Sequence, residues 1–167
     1  SYTPDGNELS SWPAAVDCDE DGSLDSTIMC YVVNLDSYPD KTCLLIAGSG
    51  SSKIYAADDF GHGFADFSSV TEFVNLGMLD TSNVTNMEGM FLNCTNLGQL
   101  DASTLNTSNV TSMVSMFQNC TSLSDIDLSG FSLSDVESIS NMFNGCNALG
   151  TVNVSGWDVS NLKNASY

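Results

Sequence analysis

The stretch that decides the fold is LDTSNVTNMEGMFLNCTNLGQLDAST (residues 79–104), which is followed at once by LNTSNVTSMVSMFQNCTSLSDIDLSG (105–130). A more divergent third copy is FSLSDVESISNMFNGCNALGTVNVSG (131–156), and a fourth opens as WDVSNLKNASY. In 26-residue register the copies begin at Leu79, Leu105, Phe131 and, in part, Trp157. Repetition with a period of about 20 to 50 residues is typical of stacked repeats. The sequence therefore predicts a solenoid over residues 67–167, preceded by an N-terminal cap region over residues 1–66.

Each copy contains two spacings of apolar residues. In the first half, Val84, Met87, Phe91 and Cys94 recur at helical intervals, with matching residues in the next two copies. In the second half the pattern is that of a short strand, as in Leu-x-x-Leu-x-Ala over 97–102. We therefore predict an α/β solenoid, a short leucine-rich-repeat stack. Its 26-residue strand-plus-helix coils would form a parallel sheet, and the cap would contain short β elements.

The segments TSNVTNMEGMFLNCTNL and TSNVTSMVSMFQNCTSL resemble the repeats of BspA-type leucine-rich-repeat surface proteins. Lactobacterial and mycoplasmal surface repeats carry a similar "NVT-x-M-x-x-MF-x-x-C" segment. The resemblance covers roughly residues 67–167. It implies a secreted or cell-surface protein used for adhesion or assembly, and it implies no catalytic residues.

The charge of the chain is strongly negative. It has 21 acidic residues against three lysines and no arginine, for a formal net charge of −18. Such a surface repels phosphate backbones and anionic lipid headgroups, so we expect no nucleic-acid partner. The chain also lacks a run of about 20 apolar residues, so we expect no membrane insertion. His62, the one histidine, has no nucleophile motif beside it, and we predict that the protein is not an enzyme.

The chain begins Ser1-Tyr2 without an initiator methionine, as a processed mature product would. With its six cysteines, this favours an extracellular location, either secreted or at the cell surface. Seven Asn-x-Ser/Thr sequons lie in the second half, and we expect them to make the protein a glycoprotein if the host glycosylates asparagine. They begin at Asn83, Asn93, Asn106, Asn109, Asn119, Asn153 and Asn164.

An acidic segment of the cap has the spacing of a calcium-binding loop. Asp17, Asp19, Asp21 and Asp25 occupy the first, third, fifth and ninth positions of an EF-hand loop, with a glycine at the sixth. The twelfth position, where a glutamate would complete the site, is Ile28. The segment is therefore either an incomplete Ca²⁺ site or an acidic turn, and we favour calcium because the carboxylates would otherwise repel one another.

The cysteines form two groups of three. Cys18, Cys30 and Cys43 lie in the cap, where a small core gains from a crosslink, and we expect at least one disulfide among them. The other three, Cys94, Cys120 and Cys146, occupy one repeat position in successive copies. We interpret these as buried free thiols, although a disulfide between neighbouring coils is an alternative.

Two functions from different classes follow from this pattern. The apolar positions of the last partial copy, Trp157, Val159, Leu162 and Tyr167, continue the repeat without a polar cap. We therefore expect a non-catalytic structural protein that self-assembles head to tail into a glycosylated extracellular filament, with itself as partner. The alternative is a monomeric cell-surface adhesion module that binds a host protein or glycan through the solenoid face.

Overall fold

The computed structural model describes residues 29–34, 42–47, 54–73 and 76–167. The chain divides into two compact units, Ser1–Ser52 and Lys53–Tyr167. The described part of the first unit is an antiparallel pair of strands, β1 (Met29–Asn34) and β2 (Thr42–Ala47). Both segments, MCYVVN and TCLLIA, contain β-branched, aromatic or other apolar residues that suit a strand.

The second unit is a stack of turn-rich coils. Its strands are short: β3 (Ile54–Tyr55) pairs in parallel with β4 (Leu79–Asp80), and β5 (Asp125–Asp127) pairs in parallel with β6 (Thr151–Asn153). One turn of 3-10 helix, Leu76–Met78, precedes β4. Parallel bridges also join one position of every coil to the next, in the order Asp59, Asn86, Ser112, Ser138 and Asn164. Neighbouring coils are thus held in the register that the sequence repeat defines.

The predicted strand-plus-helix coil is wrong, because the described residues contain no α-helix. The segment that was predicted to be helical instead directs its backbone N–H groups in two alternating directions. The N–H groups of residues 87, 89, 91 and 93 donate to carbonyl oxygens of residues 112, 114, 116 and 118 in the next coil, over 2.8–3.0 Å. The N–H groups of residues 90, 92 and 94 donate within the coil to the third residue before each. An α-helix would satisfy all of these groups internally, whereas here four of the seven join the coils.

Residues with a left-handed backbone explain why the segment turns instead of continuing as a helix. In the first full copy Gly89 and Asn93 have φ of 59° and 61°, and each is the third residue of a tight turn closed by a backbone hydrogen bond. A positive φ at this position is what a type II turn requires, and Gly and Asn adopt it most readily. The same two positions have positive φ in the next copies, at Ser115, Asn119, Asn141 and Gly145. Successive turns of three or four residues reproduce the apolar spacing of a helix without its hydrogen bonds.

The core consists of rows of identical or similar side chains, one from each coil. Phe91 and Phe117 are fully buried, and their rings stack with centroids 5.5 Å apart at an interplanar angle of 5°. The row continues to Phe64 on one side and Phe143 on the other, each with a 5.6 Å separation. Parallel rows of methionine, cysteine and leucine are also buried, as in Met87, Met90, Cys94 and Leu97 of the first copy. The burial of these residues stabilises the stack, together with the backbone hydrogen bonds that form a ladder between neighbouring coils.

Two buried threonines form a polar clasp between coils. The Oγ1 atom of Thr107 donates to the carbonyl of Ser132 at 3.2 Å and accepts from the backbone N–H of the same residue at 2.8 Å. Thr81 makes the same pair of bonds with Asn106, at 2.9 and 2.8 Å. Both threonines are 2% exposed, so each hydroxyl satisfies two backbone groups that water reaches poorly. The third copy has Leu133 at this position, so the clasp is made twice in the described stack.

Replacing Thr107 with valine is expected to lower the free energy of unfolding by about 1–3 kcal/mol, because it leaves the N–H and C=O of Ser132 without these partners. The matched control is Thr85→Val. Thr85 is exposed, and its backbone N–H donates to the same Asp58 carbonyl as its hydroxyl, so we expect a loss below about 0.5 kcal/mol. Urea denaturation of both variants measures the difference. Equal losses would show that the clasp contributes nothing specific.

Candidate functional site

The outer strand face is the row of polar side chains on and beside β5 and β6. It comprises Gln99, Asp101, Ser103, Asp125, Asp127, Ser129, Thr151, Asn153 and Ser155, of which Asn153 alone is half-buried and the others are exposed. One member from each coil is held by the serine two residues later: the Oδ1 atoms of Asp101, Asp127 and Asn153 accept from those backbone N–H groups at 2.9–3.1 Å. Such turns shape the chain after each strand. The alternate residues of the strand segments in the three full copies therefore share one face of the stack.

Hydrogen bonds lower the pKa of two carboxylates on this face. A hydrogen bond from the Ser103 side chain, over 2.6 Å, lowers the pKa of Asp101, and the Ser103 backbone N–H adds to the effect. The pKa of Asp127 is lowered by Ser129 in the same way and further by the Nδ2 of Asn153, which donates to its Oδ2 at 3.1 Å. Donors that favour the ionised form lower a carboxyl pKa. Both carboxylates are fully exposed, so they retain their attraction for cations in solution.

A shallow groove of about 490 Å³ runs along this face. Asp101, Asp125 and Asp127 line it, together with Gln99, Thr151 and Asn153. Its walls hold no aromatic ring or arginine, the residues that most often anchor protein interfaces. The groove therefore suits a basic, weakly held partner better than an apolar ligand.

The predicted calcium ligands Asp17, Asp19, Asp21 and Asp25 lie outside the described residues, and so does Cys18. Within the parts of the chain that the structure describes, no group of three or more His, Cys, Asp or Glu residues is arranged to hold a metal ion. The other two candidate disulfide cysteines lie in the hairpin, where Cys30 pairs with Ile46 and Cys43 with Val33. Backbone pairing thus does not place these two cysteines directly opposite each other.

The cysteines of the repeat are free thiols. Cys94 and Cys120 are fully buried and Cys146 is half-buried. Each Sγ donates to the carbonyl of a phenylalanine in the preceding coil, for Cys120 to that of Phe91 at 3.2 Å. Burial raises the pKa of Cys94 to about 11 and that of Cys120 to about 12, and it also raises the pKa of Cys146. These thiols therefore act as small core residues with a weak donor, since the reactive thiolate is disfavoured.

We expect iodoacetamide at pH 8 to alkylate Cys146 in the folded protein before Cys94 and Cys120, which should react only after denaturation. In the folded protein the pKa of the buried thiols lies above the ordinary value of 9.0, so the protonated thiols stabilise the fold fully below pH 9. This stabilisation is lost as the pH rises towards about 11–12, where the thiols ionise. Peptide mass mapping after timed alkylation measures the order. Rapid native labelling of Cys120 would contradict the buried row.

The predicted assembly residues differ in exposure. Val159 and Tyr167 are 50% and 89% exposed, whereas Leu162 and Trp157 are half-buried. The indole Nε1 of Trp157 donates to the carbonyl of Leu128 at 2.8 Å, so this residue is tied to the preceding coil. Val159 lies in the row of Thr81, Thr107 and Leu133, which are buried in the earlier coils. Val159 is therefore exposed to solvent, although the equivalent residues of the earlier coils are buried.

Residues 60–167 match the family described as "Mycoplasma protein of unknown function, DUF285". The chain belongs to this family. The DUF285 match includes the three full copies of the repeat and the whole outer strand face, but begins after β3 and Asp59. It fits a mycoplasmal surface-repeat type of protein in general terms and shows no BspA-type leucine-rich repeat. No curated protein and no solved structure matches the chain. Among the described residues of this DUF285 member, no helix is long and apolar enough to cross a bilayer.

The residues that hold the coils together were not predicted from the sequence. The clasp threonines Thr81 and Thr107 open the two segments quoted for the family resemblance, and the sequence pattern gave them no role. A signal was present, because the same threonine precedes Ser-Asn-Val-Thr in the first two copies. The left-handed positions were missed as well, although Asn or Gly recurs immediately before the repeat cysteine at Asn93, Asn119 and Gly145.

Proposed function

We propose that this DUF285 protein is a non-catalytic extracellular structural protein whose coils stack head to tail between copies into a surface assembly. The observation that carries the proposal is that successive coil junctions repeat the same bonds. Residues 113, 115, 117 and 119 donate to carbonyls of residues 138, 140, 142 and 144, one repeat after the first set. A coil edge is therefore complementary to the opposite edge of another coil.

The apolar surface of the last coil supports stacking between copies. Val154 is 42% exposed, although its counterparts Ala102 and Leu128 are 1% and 0% exposed in the coils before it. Val159 is half-exposed in another row that is buried in earlier coils. Contacts between opposite edges are heterologous, and they generate open filaments when the rotation between subunits does not close a ring. A further coil of the same kind packed on this edge would bury both valines.

The buried side chains of the stack pack against one another between coils. Its apolar side chains form buried rows, and the buried threonines bond to the backbone of the next coil. The charged groups lie outside: Lys163 pairs with Glu137 at 2.7 Å on a well-exposed surface, where an ion pair contributes at most about 1 kcal/mol. An acidic exterior of this kind keeps assemblies soluble and apart from one another.

Sedimentation velocity over a range of concentrations tests the proposal. We expect the full chain to form species larger than a monomer as concentration rises, and Val159→Lys to remain monomeric. Thr151→Lys, which adds the same charge to an exposed position of the outer strand face, should assemble like the parent protein. A parent chain that stays monomeric at every concentration would refute head-to-tail stacking. So would a Val159→Lys variant that assembles normally while retaining the parent circular dichroism spectrum.

The groove on the outer strand face favours a second candidate, adhesion to a basic surface. Asp101 and Asp127, whose pKa values are lowered by hydrogen bonds, lie on its walls. The probe is a fluorescent lysine-rich peptide. Adhesion predicts binding that is lost in high salt and in the double variant Asp101→Asn with Asp127→Asn. The control variant is Asp135→Asn, because Asp135 is exposed but does not line the groove. The same loss of binding in this variant would show that the peptide responds to net charge and not to the groove.

A further inference from the structure

The seven sequons divide into two sets according to what the asparagine side chain already does in the fold. In four of them the amide Nδ2, the atom to which a glycan would be attached, is a hydrogen-bond donor between coils. These four are Asn93, Asn109, Asn119 and Asn153. In the other three, Asn83, Asn106 and Asn164, the Nδ2 atom makes no hydrogen bond within the described residues. The first set of asparagines bonds neighbouring coils to each other, whereas the second set contains the sequon without such a bond.

The first set forms a ladder of amides from coil to coil. Asn119 donates through Nδ2 to the Oδ1 of Asn93 at 2.8 Å, and Asn93 donates to the Oδ1 of Asp66 at the same distance. Both asparagines are half-buried, with a φ of 61°. Coils that follow one another in a parallel ladder are about 4.8 Å apart, so a sugar ring on either Nδ2 would be inserted between them. Attachment at these positions is incompatible with the stack.

The remaining two asparagines of that set are bonded across the same kind of junction. The Nδ2 of Asn109 donates to the carbonyl of Ser82 at 2.7 Å, and the Nδ2 of Asn153 donates to Asp127 at 3.1 Å. Asn161, which is not part of a sequon, makes the Asn109 type of bond to Ser134 at 2.6 Å. The repetition of this bond in a copy without the motif shows that it serves the coil junction.

The second set leaves the amide nitrogen in solvent. All three residues are exposed. The Oδ1 atom of Asn106 accepts from the backbone N–H of Ser108 at 3.0 Å. The Oδ1 of Asn164 accepts from the backbone N–H and the hydroxyl of Ser166, at 3.2 and 3.0 Å. In both cases the oxygen is held by the chain while the nitrogen stays free, so a glycan there displaces no bond of the fold.

We propose that Asn83, Asn106 and Asn164 are the asparagines of this chain that carry glycan, and that the other four sequons remain unmodified structural amides. The inference rests on the extracellular location in the proposed function. The co-reactant is a glycosyl diphospholipid. The Nδ2–C1 bond forms, the bond from C1 to the diphosphate oxygen breaks, and the lipid diphosphate departs while Nδ2 loses one proton. No oxidant or reductant is required.

Secretion of the full chain from a eukaryotic host that N-glycosylates, followed by glycopeptide mass mapping, tests the assignment. The expected result is glycan on peptides that contain residues 83, 106 and 164, and none on residues 93, 109, 119 and 153 of the folded, secreted product. Glycan on any of those four would overturn it, and so would the lack of glycan on the three.

A second measurement on protein made without glycosylation tests the structural half of the proposal. Asn119→Gln is expected to lower the thermal midpoint by about 4 °C or more, because it breaks the amide ladder. The matched control, Asn83→Gln, should leave the midpoint unchanged, and an equal effect of the two would overturn the division. Self-association of the same unglycosylated protein tests head-to-tail stacking, so a failure of the proposed function is distinguishable from a failure of this assignment.

Discussion

Replacing Phe117 with alanine is expected to destabilise the stack of coils by about 3–5 kcal/mol, the usual cost of removing a fully buried aromatic side chain. Phe117 is 0% exposed and stacks on Phe91 at 5.5 Å and on Phe143 at 5.6 Å. Each aromatic pair adds about 0.5–1.5 kcal/mol beyond the area that it buries. The cavity would open at the centre of the row, where neighbouring coils on both sides limit collapse.

The matched control is Phe143→Ala in the same row. Phe143 is only half-buried and, within the described part of the chain, has a single aromatic neighbour, Phe117, so the loss should be clearly smaller. Urea unfolding followed by near-ultraviolet circular dichroism measures both variants. Equal losses of unfolding free energy would contradict a row in which Phe117 is fully buried and Phe143 is only half-buried.

Replacing Ser115 with proline is expected to cost more than about 3 kcal/mol and to prevent the coils from stacking at this position. Ser115 has a φ of 57°, whereas the proline ring holds φ near about −65°. Its N–H also donates to the carbonyl of Ser140 at 2.8 Å, and proline has no N–H. Both a turn and a junction bond are lost in one substitution.

Ser122→Pro is the control for this prediction. Ser122 is exposed, its φ is not positive, and its N–H makes no hydrogen bond within the described coils. The loss should therefore be small. Thermal unfolding compares the two proline variants. A Ser115→Pro protein as stable as Ser122→Pro would mean that the ladder between coils is not formed at Ser115.

The sequence predicted which residues are buried much better than it predicted the local backbone. Val84, Met87, Phe91 and Cys94 were interpreted as one face of a helix, and all four are fully buried. Their spacing of three and four residues is also that of consecutive tight turns, so periodicity alone does not separate the two structures. The distinguishing information lay in Gly and Asn at the left-handed positions, which favour turns over helix interiors.

The strand prediction was right only in part: residues 97–102 form no strand, whereas the second and third copies pair as β5 and β6. In the second copy Asp125, Ile126 and Asp127 alternate exposed, buried and exposed, and they pair in parallel with the third copy. The outer strand face was therefore predictable residue by residue. The bonds between coils were not, because they depend on which atoms meet across a distance of 25 to 27 residues, as in the clasp and the amide ladder.

The same limit applies to the sequons. The motif states which asparagines an enzyme recognises, and the fold decides which amide nitrogens are free. Asn106 and Asn109 are three residues apart with similar sequence context, yet the Nδ2 of Asn109 donates to Ser82 while that of Asn106 makes no hydrogen bond among the described residues. Only the position of the neighbouring coil distinguishes them.

The difference in unfolding free energy between Ser115→Gly and Ser115→Ala tests the central claim most directly, namely that the repeat is a ladder of left-handed turns and not a helix. With a φ of 57° at this residue, glycine should be more stable than alanine by about 1–2 kcal/mol, since it alone has no Cβ to clash. In a helix the order reverses, and alanine is favoured by about 1 kcal/mol. Urea titration of the two variants gives the sign. We predict a higher unfolding free energy for Ser115→Gly than for Ser115→Ala, and the reverse order would contradict the structure.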